Sequence, residues 1–273
     1  MSSGQGRREI LDLLDRHGLR PRKHLGQHFL ADPNLVDRIV REASVRAGDL
    51  VVEIGAGTGT LTRALAATGA DVVAYEIDDR LAPVLEESLA GTGVDIRFGD
   101  AMRLDLGTEL GPGPWTMVAN LPYNVGTPLL LDLLRNAAEI RRFVVMLQRE
   151  VADRLVATPG DSAYGLPSVS ATLRATTRLS FTVAPQVFVP TPDVESAVVI
   201  LDRVVAAPEA DAAEALASVA FNQRRKMLRR SLAAALEDPE QALAAAGIAP
   251  SARPEELDPA AWVDLARCVE RAS

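Results

Sequence analysis

Val51-Val52-Glu53-Ile54-Gly55-Ala56-Gly57-Thr58-Gly59-Thr60-Leu61-Thr62 is the stretch on which the fold turns. An apolar run ends in three spaced glycines and opens an amphipathic segment, the pattern of a strand, a tight turn and a helix start. Glycine lets the backbone at Gly55, Gly57 and Gly59 take positive φ and lets a ligand approach the main chain. The first amides of the helix that follows have no partner within it and can donate to that ligand. The result is a nucleotide-sized pocket. The G-x-G-x-G spacing alone does not say which nucleotide, since such turns serve dinucleotides, phosphates and S-adenosylmethionine alike.

Working outward, the next apolar run, Asp71-Val72-Val73-Ala74-Tyr75-Glu76, ends in an acid about 20 residues past the glycines, where a carboxylate can accept both hydroxyls of an adenosine ribose. Asp100 closes Ile96-Arg97-Phe98-Gly99-Asp100, and Trp115-Thr116-Met117-Val118-Ala119 leads into Asn120-Leu121-Pro122-Tyr123. With Glu53, four successive strand ends carry a polar group. Ligands of an open parallel sheet bind outside the carboxyl ends of its strands, so the repetition marks one site rather than scattered surface acids. Alternating strands and helices over about 200 residues predict an α/β, doubly wound, mostly parallel sheet with an antiparallel hairpin near its end.

The flanks complete the plan. Ile10, Leu11, Leu13 and Leu14 predict an amphipathic helix over 7–18, and residues 1–20 read as an N-terminal helical extension. Arg20 to Leu30 reads as an irregular basic arm broken by Pro21 and Gly26. Asp32-Pro33 opens a helix whose period runs up to Gly48. Later helices are expected over 81–89, 127–135 and 150–156, with strands over 96–98, 142–147, 169–173 and 197–201. From Val205 the composition turns alanine-rich, with helices expected over 209–220, 223–236, 239–246 and 259–272. The expected domains are therefore 21–204 for the sheet and 205–273 for a small all-α unit.

At 273 residues with 48% hydrophobic and 24% charged content, the chain suits one large globular domain plus a small one. One cysteine, Cys268, no apolar run of membrane-spanning length and no apolar core in the first residues predict a cytoplasmic protein without a membrane partner. The net charge of −8 opposes nucleic-acid binding only if charge is spread evenly. It is not. Arg16, Arg20, Arg22, Lys23 and His24 crowd the amino-terminal end, and Arg224, Arg225, Lys226, Arg229 and Arg230 fall within the ten residues from Phe221 to Arg230. Only a contacted face must neutralise phosphates, so a basic band on an acidic body suits backbone binding, with a solvated helix face as the alternative.

The tetrapeptide Asn120-Leu121-Pro122-Tyr123 leaves a strand, because Pro122 cannot continue the ladder. An exocyclic adenine amine is a poor nucleophile while its lone pair is delocalised into the ring. Two acceptors, the Asn120 side-chain oxygen and a backbone carbonyl at Leu121 or Pro122, would favour a tetrahedral nitrogen. Tyr123 offers a ring on which an unstacked base can lie, a contact worth roughly 1–3 kcal/mol. With an alkylating donor positioned in line, no strong general base is needed.

Gly26-Gln27-His28-Phe29-Leu30, the glycine run, Glu76-Ile77-Asp78, Gly99-Asp100-Ala101, Asn120-Leu121-Pro122-Tyr123-Asn124, Met146-Leu147-Gln148-Arg149-Glu150-Val151, Phe188-Val189-Pro190-Thr191-Pro192 with Val194-Glu195-Ser196-Ala197-Val198, and Phe221-Asn222-Gln223-Arg224-Arg225-Lys226 together resemble the KsgA/RsmA family of small-subunit ribosomal RNA adenine dimethyltransferases. The resemblance runs in order over about residues 20–235. It implies a class I, Rossmann-like methyltransferase fold with a seven-stranded sheet, S-adenosylmethionine as cofactor and no metal. It also implies methylation of the N6 amines of two adjacent adenosines in the 3′-terminal hairpin loop of 16S rRNA, with the 30S subunit or its precursor as partner and the enzyme a monomer. Carried over residue by residue, His28, Leu30, Gly55, Gly57, Glu76, Ile77, Asp100, Ala101 and Asn120 line the donor site. Asn120, Leu121, Pro122 and Tyr123 form the catalytic turn, and Phe188 closes the other side of the base. Arg22, Lys23, Arg224, Arg225, Lys226, Arg229 and Arg230 meet rRNA. His28 stands where the family usually has asparagine, and imidazole can replace an amide as donor or acceptor. Two other readings compete: an Erm-like 23S rRNA adenine methyltransferase, and an assembly factor acting mainly by binding the 30S subunit.

Overall fold

The computed structural model describes residues 5–22, 25–123 and 125–272. The chain runs α1 (Arg7–Arg16), β1 (Phe29–Leu30), α2 (Pro33–Ala43), β2 (Leu50–Ile54), α3 (Thr60–Ala66), β3 (Asp71–Glu76), α4 (Ala82–Ser88), β4 (Asp95–Phe98), α5 (Leu106–Leu110), β5 (Trp115–Asn120), α6 (Gly126–Asn136) and β6 (Ile140–Gln148). It continues through α7 (Arg149–Val156), α8 (Leu166–Thr172), β7 (Ala175–Val183), β8 (Phe188–Val189), β9 (Ser196–Arg203), α9 (Ala210–Phe221), α10 (Leu228–Ser231), α11 (Pro239–Ala245) and α12 (Pro259–Ala272).

Seven strands form one sheet in the order β4-β3-β2-β5-β6-β9-β7. β4, β3, β2, β5 and β6 pair in parallel, and β9 runs antiparallel to β6 from Arg142↔Asp202 to Gln148↔Ser196. This is the expected class I architecture. The order reverses between β2 and β5, so the crevice at the carboxyl ends of those two strands is the natural ligand position. Val51, Val52, Met117, Val118, Phe143, Val144 and Val145 are at most 1% exposed, which explains why these strands read as unbroken apolar runs.

Local chemistry sets the helix ends. The Asp32 carboxylate accepts from the Asn34 and Leu35 amides at 2.8 and 3.2 Å, and Pro33 takes the first turn of α2. That helix stops at Ser44, whose φ is 58°, before the expected Gly48. α1 packs Ile10, Leu13 and Leu14 against Leu81, Val84, Leu85 and Leu89, each fully buried side chain contributing roughly 1.5–3 kcal/mol.

The chain divides into two compact units, residues 1–152 with 178–202 and residues 153–177 with 203–273. The first holds the sheet and includes α1. The second is helical, with Tyr164, Phe221 and Trp262 forming an aromatic cluster at centroid distances of 6.1 and 6.2 Å. It takes in 153–177, which sequence reading assigned to the sheet domain.

Two elements differ from expectation. Residues 169–173, expected as a strand, fall in α8 and its C-cap, where Ser168, Val169, Ser170 and Ala171 are all buried. The strand in this part of the chain is instead β7, whose Ala-Thr-Thr-Arg-Leu-Ser-Phe-Thr-Val alternates buried and outward residues, a period-2 signal present in the sequence. The helix expected over 223–236 shrinks to the single turn α10, so most of the basic cluster lies on turns.

Candidate active site

The glycine turn holds its expected shape, with φ of 86°, 58° and 78° at Gly55, Gly57 and Gly59. Gly57 needs its lack of a side chain twice over: its φ is left-handed, and a Cβ there would lie 2.9 Å from the Phe29 ring. Beside the turn opens a cleft of about 680 Å³, counting the part open to solvent, the size of a small-molecule site. Glu53, Gly55, Gly57, Glu76, Ile77, His28, Leu30, Asn120, Leu121, Pro122 and Tyr123 all line it.

Glu76 is 5% exposed, and its two oxygens accept the Gly57 amide at 2.8 Å and the Asp78 amide at 2.9 Å. Burial lifts its carboxyl above the ordinary range, and those amide bonds oppose the lift. Glu53 is deeper, at 1% exposure, with Oε2 lacking a hydrogen-bond partner among the described residues. Burial pushes its carboxyl up to about 8, and the Glu76 carboxylate adds to the effect.

At the end of β5, Asn120 Nδ2 donates to the His28 carbonyl at 3.0 Å, which fixes the carboxamide and leaves its oxygen as the outward acceptor. The Tyr123 hydroxyl shares a 2.7 Å hydrogen bond with Ser196 Oγ, and its ring stacks with His28 at a centroid distance of 5.6 Å and an interplanar angle of 22°. Burial raises the Tyr123 phenol, partly offset by the Ser196 bond. Asn124 lies outside the described residues.

The arm that reads as irregular is built into the site. β1 pairs antiparallel with β8, Phe29 with Val189 and Leu30 with Phe188, and the Ala31 amide donates to the Val187 carbonyl at 2.7 Å. Gln27 bridges the Arg22 amide, at 2.7 Å, and Asp78, at 2.9 Å. Burial works to raise Asp78, but Arg80 and Gln27, with Arg22 nearby, hold it below the usual carboxylate range. Arg22, expected to meet rRNA, thus has one end 3.6 Å from the buried Asp78 carboxylate, while Lys23 lies outside the described residues.

Other expected residues are not among those lining the cleft. Phe188, expected to close over the base, pairs with Leu30 of β1, is 0% exposed and belongs to the buried cluster that includes Leu30, Val36 and Val198. Asp100 and Ala101 follow β4 and are not among the cleft-lining residues. Asp100 accepts from the Met102 amide at 3.0 Å and pairs with Arg103 at 3.3 Å. The Gly99 amide donates to the Glu76 carbonyl at 2.9 Å, which keeps this turn beside the acid of β3.

Residues that sequence reasoning missed hold the site from behind. Gln5 accepts from Thr60, the first residue of α3, at 2.7 Å and donates to Ser88 at 3.1 Å. Arg7 donates to the carbonyls of Phe188 at 2.6 Å and Gln186 at 3.0 Å. These partners are far apart in sequence, and no local pattern announces them.

In the second unit Arg225, Lys226, Arg229 and Arg230 are exposed. Arg229 has Glu240 at 3.5 Å, and Arg224 donates to the Ser162 carbonyl at 3.1 Å with Glu255 at 3.7 Å. Among the described residues no cluster of His, Cys, Asp and Glu could hold a metal, and no helix is long and apolar enough to cross a membrane.

A seven-stranded sheet of this order, with a glycine turn after β2, an acid closing β3 and an Asn-Leu-Pro-Tyr turn after β5, defines a class I methyltransferase. The sequence profile of the family described as ribosomal RNA adenine dimethylase matches residues 18–271, and the chain belongs to that family. It is 45% identical to the ribosomal RNA small subunit methyltransferase A of Leifsonia xyli over 96% of this chain and 97% of that one. The protein of the same name from Methylobacterium radiotolerans is 46% identical over 97% of this chain and 94% of that one. Among solved structures, the 23S rRNA methyltransferase ErmE superposes with a TM-score of 0.69 at 27% identity, covering 89% of this chain and 99% of that one. A dimethyladenosine transferase from Plasmodium falciparum shares the fold with a TM-score of 0.72 at 24% identity, over 87% and 96% of the two chains. The chain is thus an rRNA adenine dimethyltransferase by family.

Proposed function

We propose that the chain uses S-adenosylmethionine to methylate the N6 amines of two adjacent adenosines in the 3′-terminal hairpin loop of 16S rRNA, within the 30S subunit or its precursor. The observation that carries this is one cleft lined at once by the glycine turn, Glu76 and the Asn120-to-Tyr123 turn. The residues present fit the donor. Glu76 keeps lone pairs beyond those its two amide bonds use, enough for ribose hydroxyls. Glu53 adds a buried carboxyl to the lining of the same cleft, with one oxygen lacking a hydrogen-bond partner among the described residues. When bound, the donor supplies an electrophilic methyl group on a sulfonium. The chain's own residues do the rest: Asn120 and a neighbouring backbone carbonyl accept the two amine hydrogens, and Tyr123 stacks on the base. Phe188 supports the β1–β8 ribbon from the core, and Asp100 and Ala101 border the donor from the turn after β4. The first unit is the catalytic domain and the second carries the rRNA-docking charges.

Relatives about 45% identical over nearly the whole chain carry the small-subunit name, against 27% identity to ErmE, and this supports the 30S substrate over the 50S one. The test is incubation of labelled donor with undermethylated 30S particles, naked rRNA and 50S subunits. Label is expected on two adjacent adenosines of 16S rRNA in the 30S sample. Label in 50S would give the Erm-like reading, and tight 30S binding without label the assembly-factor reading.

Two substitutions probe the site further. Glu76→Gln keeps the shape but removes the charge that strengthens hydrogen bonds to the donor, so the donor KM should rise about ten-fold with kcat little changed. Equal donor KM values would remove Glu76 from the ribose. Arg225→Ala, Lys226→Ala and Arg230→Ala combined remove three exposed cations that form no ion pair among the described residues. Affinity for rRNA should fall, and the slope of log K against log salt should flatten by roughly 0.7–0.9 for each phosphate that is no longer neutralised. An unaltered slope would return the cluster to a solvated surface.

A further inference from the structure

His28 touches both ends of the Asn-Leu-Pro-Tyr corner. Its carbonyl accepts the Asn120 carboxamide at 3.0 Å, its Nδ1 lies 2.8 Å from the Pro190 carbonyl, and its ring stacks with Tyr123. A carbonyl only accepts, so Nδ1 must carry the hydrogen, and the ring orientation follows from that bond. The ring is then held edge-on by the segment after β8 and face-on by the catalytic turn. Tyr123 is restrained at its other end by the buried Ser196 hydroxyl. One face of the tyrosine is thereby taken by imidazole, so a base that stacks on Tyr123 must take the opposite face.

We infer that His28 is a positioning residue for the target adenine, acting through Tyr123: its ring backs the tyrosine face while its two hydrogen bonds tie Asn120 and Pro190 to the same arm. This rests on the reading that Tyr123 receives the base. It assigns to the His28 ring a task in RNA binding, separate from the lining that His28 gives the donor cleft.

The ring and the hydrogen bond can be separated. His28→Asn keeps an N–H donor for Pro190 but has no ring, and His28→Phe keeps a ring but has no N–H. An aromatic pair at this spacing predicts that losing the ring raises the KM for undermethylated 30S particles roughly three- to ten-fold. His28→Phe should restore most of the RNA KM, whereas any change in donor KM reports the part of His28 that lines the donor cleft. A hairpin carrying 2-aminopurine at the target position gives a second readout: wild type and His28→Phe should quench its fluorescence on binding, and His28→Asn should quench it less. In a Tyr123→Ala background, His28→Asn should add nothing to the quench defect, because the two residues act as one unit. An unchanged RNA KM in His28→Asn, an RNA KM that His28→Phe fails to restore, or additive defects with Tyr123→Ala would each overturn the inference. Wild-type protein that leaves 30S adenosines unlabelled would instead overturn the functional reading beneath it.

Discussion

Asn120→Ala is expected to lower methyl transfer by about 10²- to 10³-fold at saturating RNA and donor, while binding to the 30S subunit stays near that of the wild type. The scale is that of removing one preorganised hydrogen-bonding group from a reacting centre. β5 delivers Asn120 to the point where the sheet order reverses, and the His28 carbonyl takes its amide nitrogen, so the side-chain oxygen has a single orientation before any substrate arrives. An acceptor so placed draws on an amine hydrogen most strongly as the nitrogen becomes tetrahedral, which lowers the barrier rather than tightening binding. Asn120→Asp should fail as well, since a carboxylate cannot donate to the His28 carbonyl. Single-turnover rates with labelled donor and particle-binding isotherms measure the two quantities, and a rate within two-fold of wild type would refute the chemistry assigned to the turn.

Glu53 should dominate the pH dependence of stability in the donor-free protein. Its carboxyl titrates near 8 when folded, against 4.5 as the ordinary value. Between those pH values the unfolded chain has released the proton and the folded chain still holds it. Stability is therefore greatest below the ordinary value and falls as pH rises, by about 1.4 kcal/mol per pH unit, until the folded carboxyl ionises near 8. The whole span is worth about 5 kcal/mol. Glu76 adds a smaller trend of the same sign. Glu53→Gln should flatten the profile and leave the variant more stable than wild type at pH 8.5. Urea melts from pH 5 to 9 decide it, and parallel profiles for the two proteins would place the pH dependence elsewhere.

How far the site could be read in advance follows from where its parts lie. The glycine turn, Glu76 and Asn120 to Tyr123 were legible because a doubly wound sheet puts its ligand groups just after apolar runs that are easily seen. The burial of Phe188 was not legible for the opposite reason: two-residue strands carry no periodicity, so nothing local says that β8 pairs with β1. The Arg22–Gln27–Asp78 contacts and the anchoring by Gln5 and Arg7 depend equally on distant partners. Residues 169–173 misled because Val169 and Leu173 are apolar in either state, and packing within the helical unit decided for a helix. The basic cluster showed its charge but not its backbone, since Arg and Lys favour helices that tertiary contacts here reduce to one turn.

The ribbon of β1 and β8 bears on how the enzyme is made. His28 meets Pro190 across 162 residues, so a ribosome must finish more than two thirds of the chain before the wall of the cleft can close. Until then the emerging polypeptide carries its glycine loop and its Asn-Leu-Pro-Tyr corner without the ribbon that joins them, and contacts of such long range form slowly. Newly synthesised copies therefore acquire competence late in translation, after the parallel strands are already in hand.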